Sequence, residues 1–69
     1  MKQNNPTGRV IETLAAARFR VQMEDGQEVI CYLAGKMKVR NISVYVGDMV
    51  EVVLDPAGGK ATNRIVWRK

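Results

Sequence analysis

Histidine is missing from this 69-residue chain, and cysteine occurs once, as Cys31. Without an imidazole the chain lacks both the commonest general base and the commonest nitrogen ligand of metals. A lone cysteine builds neither an internal disulfide framework nor a thiolate metal knuckle, so the expected setting is a reducing one, the cytoplasm. Aromatic residues are as scarce, with one Trp, two Tyr and one Phe. No apolar run comes near the roughly 20 residues that a membrane helix needs, and the opening "MKQNNPTG" has no apolar stretch of the signal-peptide kind. No phosphate loop is present either, since "AGGK" has neither the Walker spacing nor a Ser or Thr after its Lys. Asp48 and Asp55 sit at turns, where their carboxylates are suited to capping backbone amides, and Cys31 alternates with Val29 and Leu33 as an inert core filler would. The chain is therefore expected to be no enzyme, to need no cofactor and to act as a monomer.

What is present in excess is positive charge. Eleven Lys and Arg against seven Asp and Glu give a formal net charge of +4 and a pI near 9.6. On one small domain that balance favours a polyanionic partner, either nucleic acid or an acidic membrane surface. The membrane alternative calls for a long amphipathic basic helix, which this sequence lacks.

The pattern of apolar residues is mostly period two, which predicts strands. Residues 1–7 are polar and read as a flexible arm; residues 8–69 read as the folded domain. "GRVIETL" predicts a first strand, closed by "AAA". In "ARFRVQME", Phe19, Val21 and Met23 alternate with Arg18, Arg20, Gln22 and Glu24, the clearest strand of all. Asp25-Gly26 suits a type I′ hairpin turn into "QEVICYLA". "DMVEVVL" places Val50, Val52 and Leu54 on one face after the Gly47-Asp48 turn, and "NRIVWRK" is the last strand, with Trp67 sharing the Ile65 face in the core. "DPAGGK" reads as a loop, and "GKMKVRNISV" allows a helical turn or two after Gly35. Three strands, a short helix and two strands is the order of the OB-fold, a five-stranded Greek-key β-barrel whose outer face and loops bind oligonucleotides. An SH3-like barrel is the rival architecture, but it has no need of a basic insert at this point.

The cations concentrate where such a barrel would bind. Lys36, Lys38 and Arg40 lie on the insert, Arg18 and Arg20 on the outer face of the second strand, and Arg64, Arg68 and Lys69 on the last strand, with Arg64 and Arg68 of one parity. The acids Glu24, Asp25 and Glu28 gather instead around the hairpin turn. With Phe19 and Trp67 assigned to the core, only Tyr32 and Tyr45 remain to stack on bases, so contact mainly to phosphates is expected.

In order and spacing, "GRVIETL", "FRVQMEDGQEV", "GKM", "GDMVEVVLDP" and "RIVWR" resemble bacterial translation initiation factor one, over Gly8 to Arg68. The resemblance implies a single non-enzymatic OB-fold that occupies the A site of the small ribosomal subunit. There it would contact ribosomal RNA and a ribosomal protein, keep initiator tRNA out and work beside initiation factors two and three. Lys36 and Lys38 match basic positions of the family's RNA-facing segment, Arg64 and Arg68 extend that surface, and Arg20 of "FRV" also matches. Tyr32 stands where the family usually has His, Asn41 where it often has Tyr, and Ser43 where it often has Arg. Arg40, a cation outside the usual pattern, would make up for the charge absent at Ser43. Two other readings of the same residues are a general single-strand RNA binder or RNA chaperone, and a barrel that docks an acidic protein.

Overall fold

A computed structural model describes residues 5–55 and 63–69. Five strands, β1 (Thr7–Leu14), β2 (Arg18–Met23), β3 (Glu28–Leu33), β4 (Met49–Val53) and β5 (Asn63–Arg68), and one helix, α1 (Gly35–Val39), follow in the expected order. The strands close into a barrel in the order β1-β2-β3-β5-β4, with β4 pairing back onto β1. All pairings are antiparallel except β3 with β5, which run parallel because the chain crosses the barrel end through α1 and β4 between them. This is the OB-fold, with its short helix between the third and fourth strands. The loop expected at "DPAGGK" has Pro56 to Lys60 outside the described residues.

Alternation fills the interior. Val10, Val21, Cys31, Val50, Val52 and Ile65 are wholly buried, with Phe19 and Met23 beside them. Leu54, expected on the face of Val50 and Val52, falls beyond the end of β4 and is exposed. β1 begins at Thr7, within the span assigned to the arm: Thr7 pairs with Glu51, and the Pro6 carbonyl accepts from the Val52 N–H at 2.9 Å. Proline has no amide hydrogen but keeps its acceptor, so it can stand just before the first residue of a strand.

The β2–β3 hairpin differs from the type I′ turn expected. The loop is three residues, Glu24 to Gly26, closed by Gly26 N–H donating to the Met23 carbonyl (2.9 Å) and Met23 N–H to the Gln27 carbonyl (2.7 Å). Gly26 alone of these has positive φ, at 90°, which is the type I turn with a left-handed glycine at its end. Asp25 is freed from that conformation, and its Oδ1 accepts from the Gln27 N–H at 3.0 Å.

A second departure matters more. Along β5 the register runs Arg64 opposite Val53, Ile65 opposite Val52, then Trp67 opposite Glu51 and Arg68 opposite Val50, leaving Val66 unpaired as a β-bulge. Residues directly opposite share a face, so one extra residue reverses the parity of everything after it. Trp67, assigned to the core from its spacing with Ile65, is turned outward and is 43% exposed. Arg64 and Arg68, expected on one face, take opposite parities, Arg64 with outward Val53 and Arg68 with inward Val50, although Arg68 at the strand end is still exposed.

Two local features carry measurable consequences. Ala16 and Ala17 in the β1–β2 turn have φ of 62° and 56°, a left-handed conformation that costs an alanine roughly 1–2 kcal/mol. Ala16→Gly is expected to raise stability by about 1 kcal/mol in urea denaturation, the glycine's larger unfolded-state entropy offsetting part of the gain. Gly8 is the converse case, since a Cβ there would lie 2.5 Å from Val21 Cγ1 and 2.9 Å from the Gln22 carbonyl oxygen. Gly8→Ala is expected to cost about 1–3 kcal/mol in the same measurement, as overpacking against backbone does.

Candidate nucleic-acid interface

The basic insert becomes a five-residue helix because Met37 has somewhere to go. Ala34 N–H donates to the Ile65 carbonyl at 2.9 Å, which sets the start of α1 against β5, and Met37 is then buried completely at the barrel end. At 100° per residue, Lys36 and Lys38 flank Met37 on either side and Val39 points almost directly away from it. Both lysines, Arg40 and Val39 are exposed. The helix ends in a Schellman motif: Ile42 N–H donates to the Met37 carbonyl (3.0 Å) and Asn41 N–H to the Lys38 carbonyl (3.1 Å), with Asn41 at φ 60°. Asparagine tolerates that left-handed position, which gives Asn41 a backbone role where the family often has Tyr. A cleft of about 370 Å³ opens beside the helix, lined among others by Met37, Lys38, Asn41, Ile42 and Tyr45.

Next to the helix, strand register assembles a second group. Arg18 pairs with Tyr32, and Tyr32 with Arg64, so a tyrosine sits between two guanidinium side chains on the outer face of β2, β3 and β5. Arg18 and Arg64 are exposed and Tyr32 is half-buried. Arg18, expected on the outer face of the second strand, belongs with Tyr32 and Arg64 by this register, a grouping that only the pairing of β2 with β3 and of β3 with β5 reveals.

The remaining candidates stand apart. Arg20 Nε donates to Glu12 Oε1 at 2.8 Å, and its Nη1 lies 3.6 Å from Glu28 Oε1. The hydrogen bond to Glu12, helped by the charges of both carboxylates, raises the Arg20 pKa still further, so this cation is permanently charged and already neutralised. Arg68, exposed at the end of β5 and of opposite parity to Arg64 after the bulge, donates from Nη1 to the Ser43 carbonyl at 3.0 Å and ties the segment after α1 to the end of β5. Lys36, Lys38, Arg40 and Arg64 are thus brought together with their charges free of carboxylates among the described residues, while Arg20 is not.

The acidic hairpin lies at the other end of β3. Five steps along β3 separate Glu28 at the hairpin from Leu33 before the helix, about 17 Å at roughly 3.3 Å per residue. Asp48 does cap a backbone amide, its Oδ2 accepting from the Tyr45 N–H at 2.8 Å. Among the described residues no three of His, Cys, Asp or Glu gather to hold a metal, and no helix is long and apolar enough to cross a membrane.

Burial pushes the Cys31 thiol up from 9.0 to about 12. The native state therefore keeps its proton over a range where the unfolded chain loses it, so this contribution to stability is complete below about pH 9 and is lost as pH rises towards 12. Native protein is expected to resist alkylation by iodoacetamide, and Cys31→Val to remove part of the alkaline loss of stability. Equal alkaline slopes for the two proteins would contradict the burial of the thiol.

Comparison with known proteins follows the same lines. The family described as "Translation initiation factor 1A / IF-1" matches residues 1–69. Translation initiation factor IF-1 of Mycoplasma pneumoniae is 41% identical over 63 residues, covering 91% of this chain and 80% of the relative. That of Mesomycoplasma hyopneumoniae strain 7448 is 38% identical over 61 residues, covering 88% and 80%. Among solved structures, translation initiation factor one of the Wolbachia endosymbiont of Brugia malayi superposes with a TM-score of 0.73 at 35% identity, over 91% of this chain and 72% of that one. YjeQ from Thermotoga maritima gives a TM-score of 0.75 at 27% identity over 94% of this chain, which spans only 22% of the YjeQ chain.

Proposed function

Because the chain belongs to the Translation initiation factor 1A / IF-1 family, and so is a non-enzymatic initiation factor, we propose that it works by filling the A site of the small ribosomal subunit. In this reading it blocks tRNA there while initiation factors two and three act, as a monomer in the cytoplasm. The observation that carries it is the helix Gly35–Val39, whose buried Met37 holds Lys36 and Lys38 rigidly outward with Arg40 beside them. A short basic helix fixed to a barrel is suited to phosphates spaced along a folded RNA, which it meets without ordering a flexible chain. Arg64 and Tyr32 extend the contact along β5 and β3. Arg68 supports it through Ser43 and has further guanidinium donors for a phosphate. The acidic hairpin, at the opposite end of β3, faces away from the RNA and is the side on which a protein partner with basic groups fits.

The test is a titration of labelled protein onto vacant bacterial small subunits, with and without a ligand that fills the A site, and onto free oligonucleotide at the same salt. Competitor-sensitive binding to subunits, with little to oligonucleotide, is the expected result. Equal affinity for both would instead establish the general RNA-binding reading, which the exposed Trp67 and Tyr45 favour more than the sequence did.

Salt dependence separates the residues. With about five phosphates neutralised, log K is expected to fall with log[salt] at a slope of roughly −3.5 to −4.5. Replacing Lys36 and Lys38 with Ala flattens that slope by about 1.4 to 1.8. Arg20→Ala leaves it nearly unchanged, since Glu12 and Glu28 already neutralise that charge. An unchanged slope in the lysine double variant would show that α1 is not at the RNA.

A further inference from the structure

The Val66 bulge has a second effect besides dividing Arg64 from Arg68. It brings Trp67 onto the outer face that Arg64 occupies, three residues or roughly 10 Å further along β5. On that face Trp67 lies opposite Glu51 of β4, and Glu51 opposite Thr7 of β1. In the next row Arg9 pairs with Met49, its Nε 3.5 Å from the Met49 sulfur, and Lys69 N–H donates to the Met49 carbonyl at 2.8 Å. Between described residues the ion pairs are those of Arg20, so neither Arg9 nor Lys69 is neutralised there.

An exposed indole sharing a face with two cations that no described carboxylate pairs fits a nucleotide, for which stacking and phosphate contact are needed together. Resting on the initiation-factor reading, we propose that the outer face of β1, β4 and β5 around Trp67 is a second RNA contact. One unpaired nucleotide of the ribosomal RNA stacks on the indole while Arg9 and Lys69 hold its flanking phosphates. Glu51, beside the ring, repels a phosphate from that spot, so the base and not the backbone lies over Trp67. A protein partner is the poorer fit, since a strand edge is not free here and the cations Arg9 and Lys69 outnumber the one carboxylate, Glu51, on this face. The surface is continuous along β5 with Arg64 and Tyr32, so one RNA segment can reach both.

The experiment uses the full chain and vacant small ribosomal subunits. Trp67→Leu keeps the apolar bulk and removes the π face; it is expected to weaken binding about tenfold while leaving the salt slope unchanged, and Trp67→Phe to restore most of the affinity. Arg9→Gln with Lys69→Gln is expected to flatten the slope by about 1.4 to 1.8. Circular dichroism and urea midpoints confirm that each variant folds. A photo-crosslinking residue, p-benzoylphenylalanine, in place of Trp67 should give a product that ribonuclease destroys. Wild-type affinity in Trp67→Leu, or a crosslink to protein that ribonuclease spares, would overturn this contact while leaving the A-site reading intact. Failure of the wild-type chain to bind subunits at all would remove both.

Discussion

Met37 enters the end of the barrel with no surface left to solvent, and the direction of the basic residues on either side of it depends on that anchor. Five residues are too few to hold a helix in water by hydrogen bonding alone, because nucleation costs more than so short a run returns. The helix exists because it closes an apolar barrel end. Once Met37 is inside, helical geometry puts Lys36 and Lys38 on its flanks, and the Schellman motif at Asn41 brings Ile42 back against the same core. The Arg68 guanidinium completes the arrangement by holding the Ser43 carbonyl. The basic insert is therefore part of the core's boundary, and its charges are fixed in direction.

The distribution of charge is decided by pairing. Lining up β2, β3 and β5 produces Arg18, Tyr32 and Arg64 in one row, and lining up β1 with β2 places Glu12 across from Arg20. Two arginines two residues apart on one strand, both exposed to some degree, thus differ in what they offer. Arg18 has only a weak donation from Nε to the Ala15 carbonyl at 3.4 Å, whereas Arg20 is bracketed by two carboxylates. A count of cations along the chain treats these as equal; the sheet does not.

The barrel's order, its strands and the place of its helix were legible in the sequence because a period-two apolar pattern survives wherever a strand has one buried face. Phe19, Val21, Met23, Val50, Val52 and Ile65 all lie where that pattern put them. The failures share a cause. Trp67 and the parity of Arg64 with Arg68 were misplaced by one inserted residue at Val66, and Asp25-Gly26 was assigned a two-residue turn where the chain makes a three-residue one. Bulges and loop lengths depend on how two strands settle against each other, and neither strand's own pattern records that choice.

Composition and local pattern by themselves determined a small basic β domain without the residues for catalysis, a helix start at Gly35 and the segments that resemble an initiation factor. Tertiary structure alone decided which cations stand free, that Trp67 faces outward, and that Asn41 serves the backbone. The physical reason is range. Alternation and turn chemistry act over a few neighbouring residues, whereas register, bulge and ion-pair partners join residues as far apart as Ser43 and Arg68, whose relation exists only after the barrel has closed.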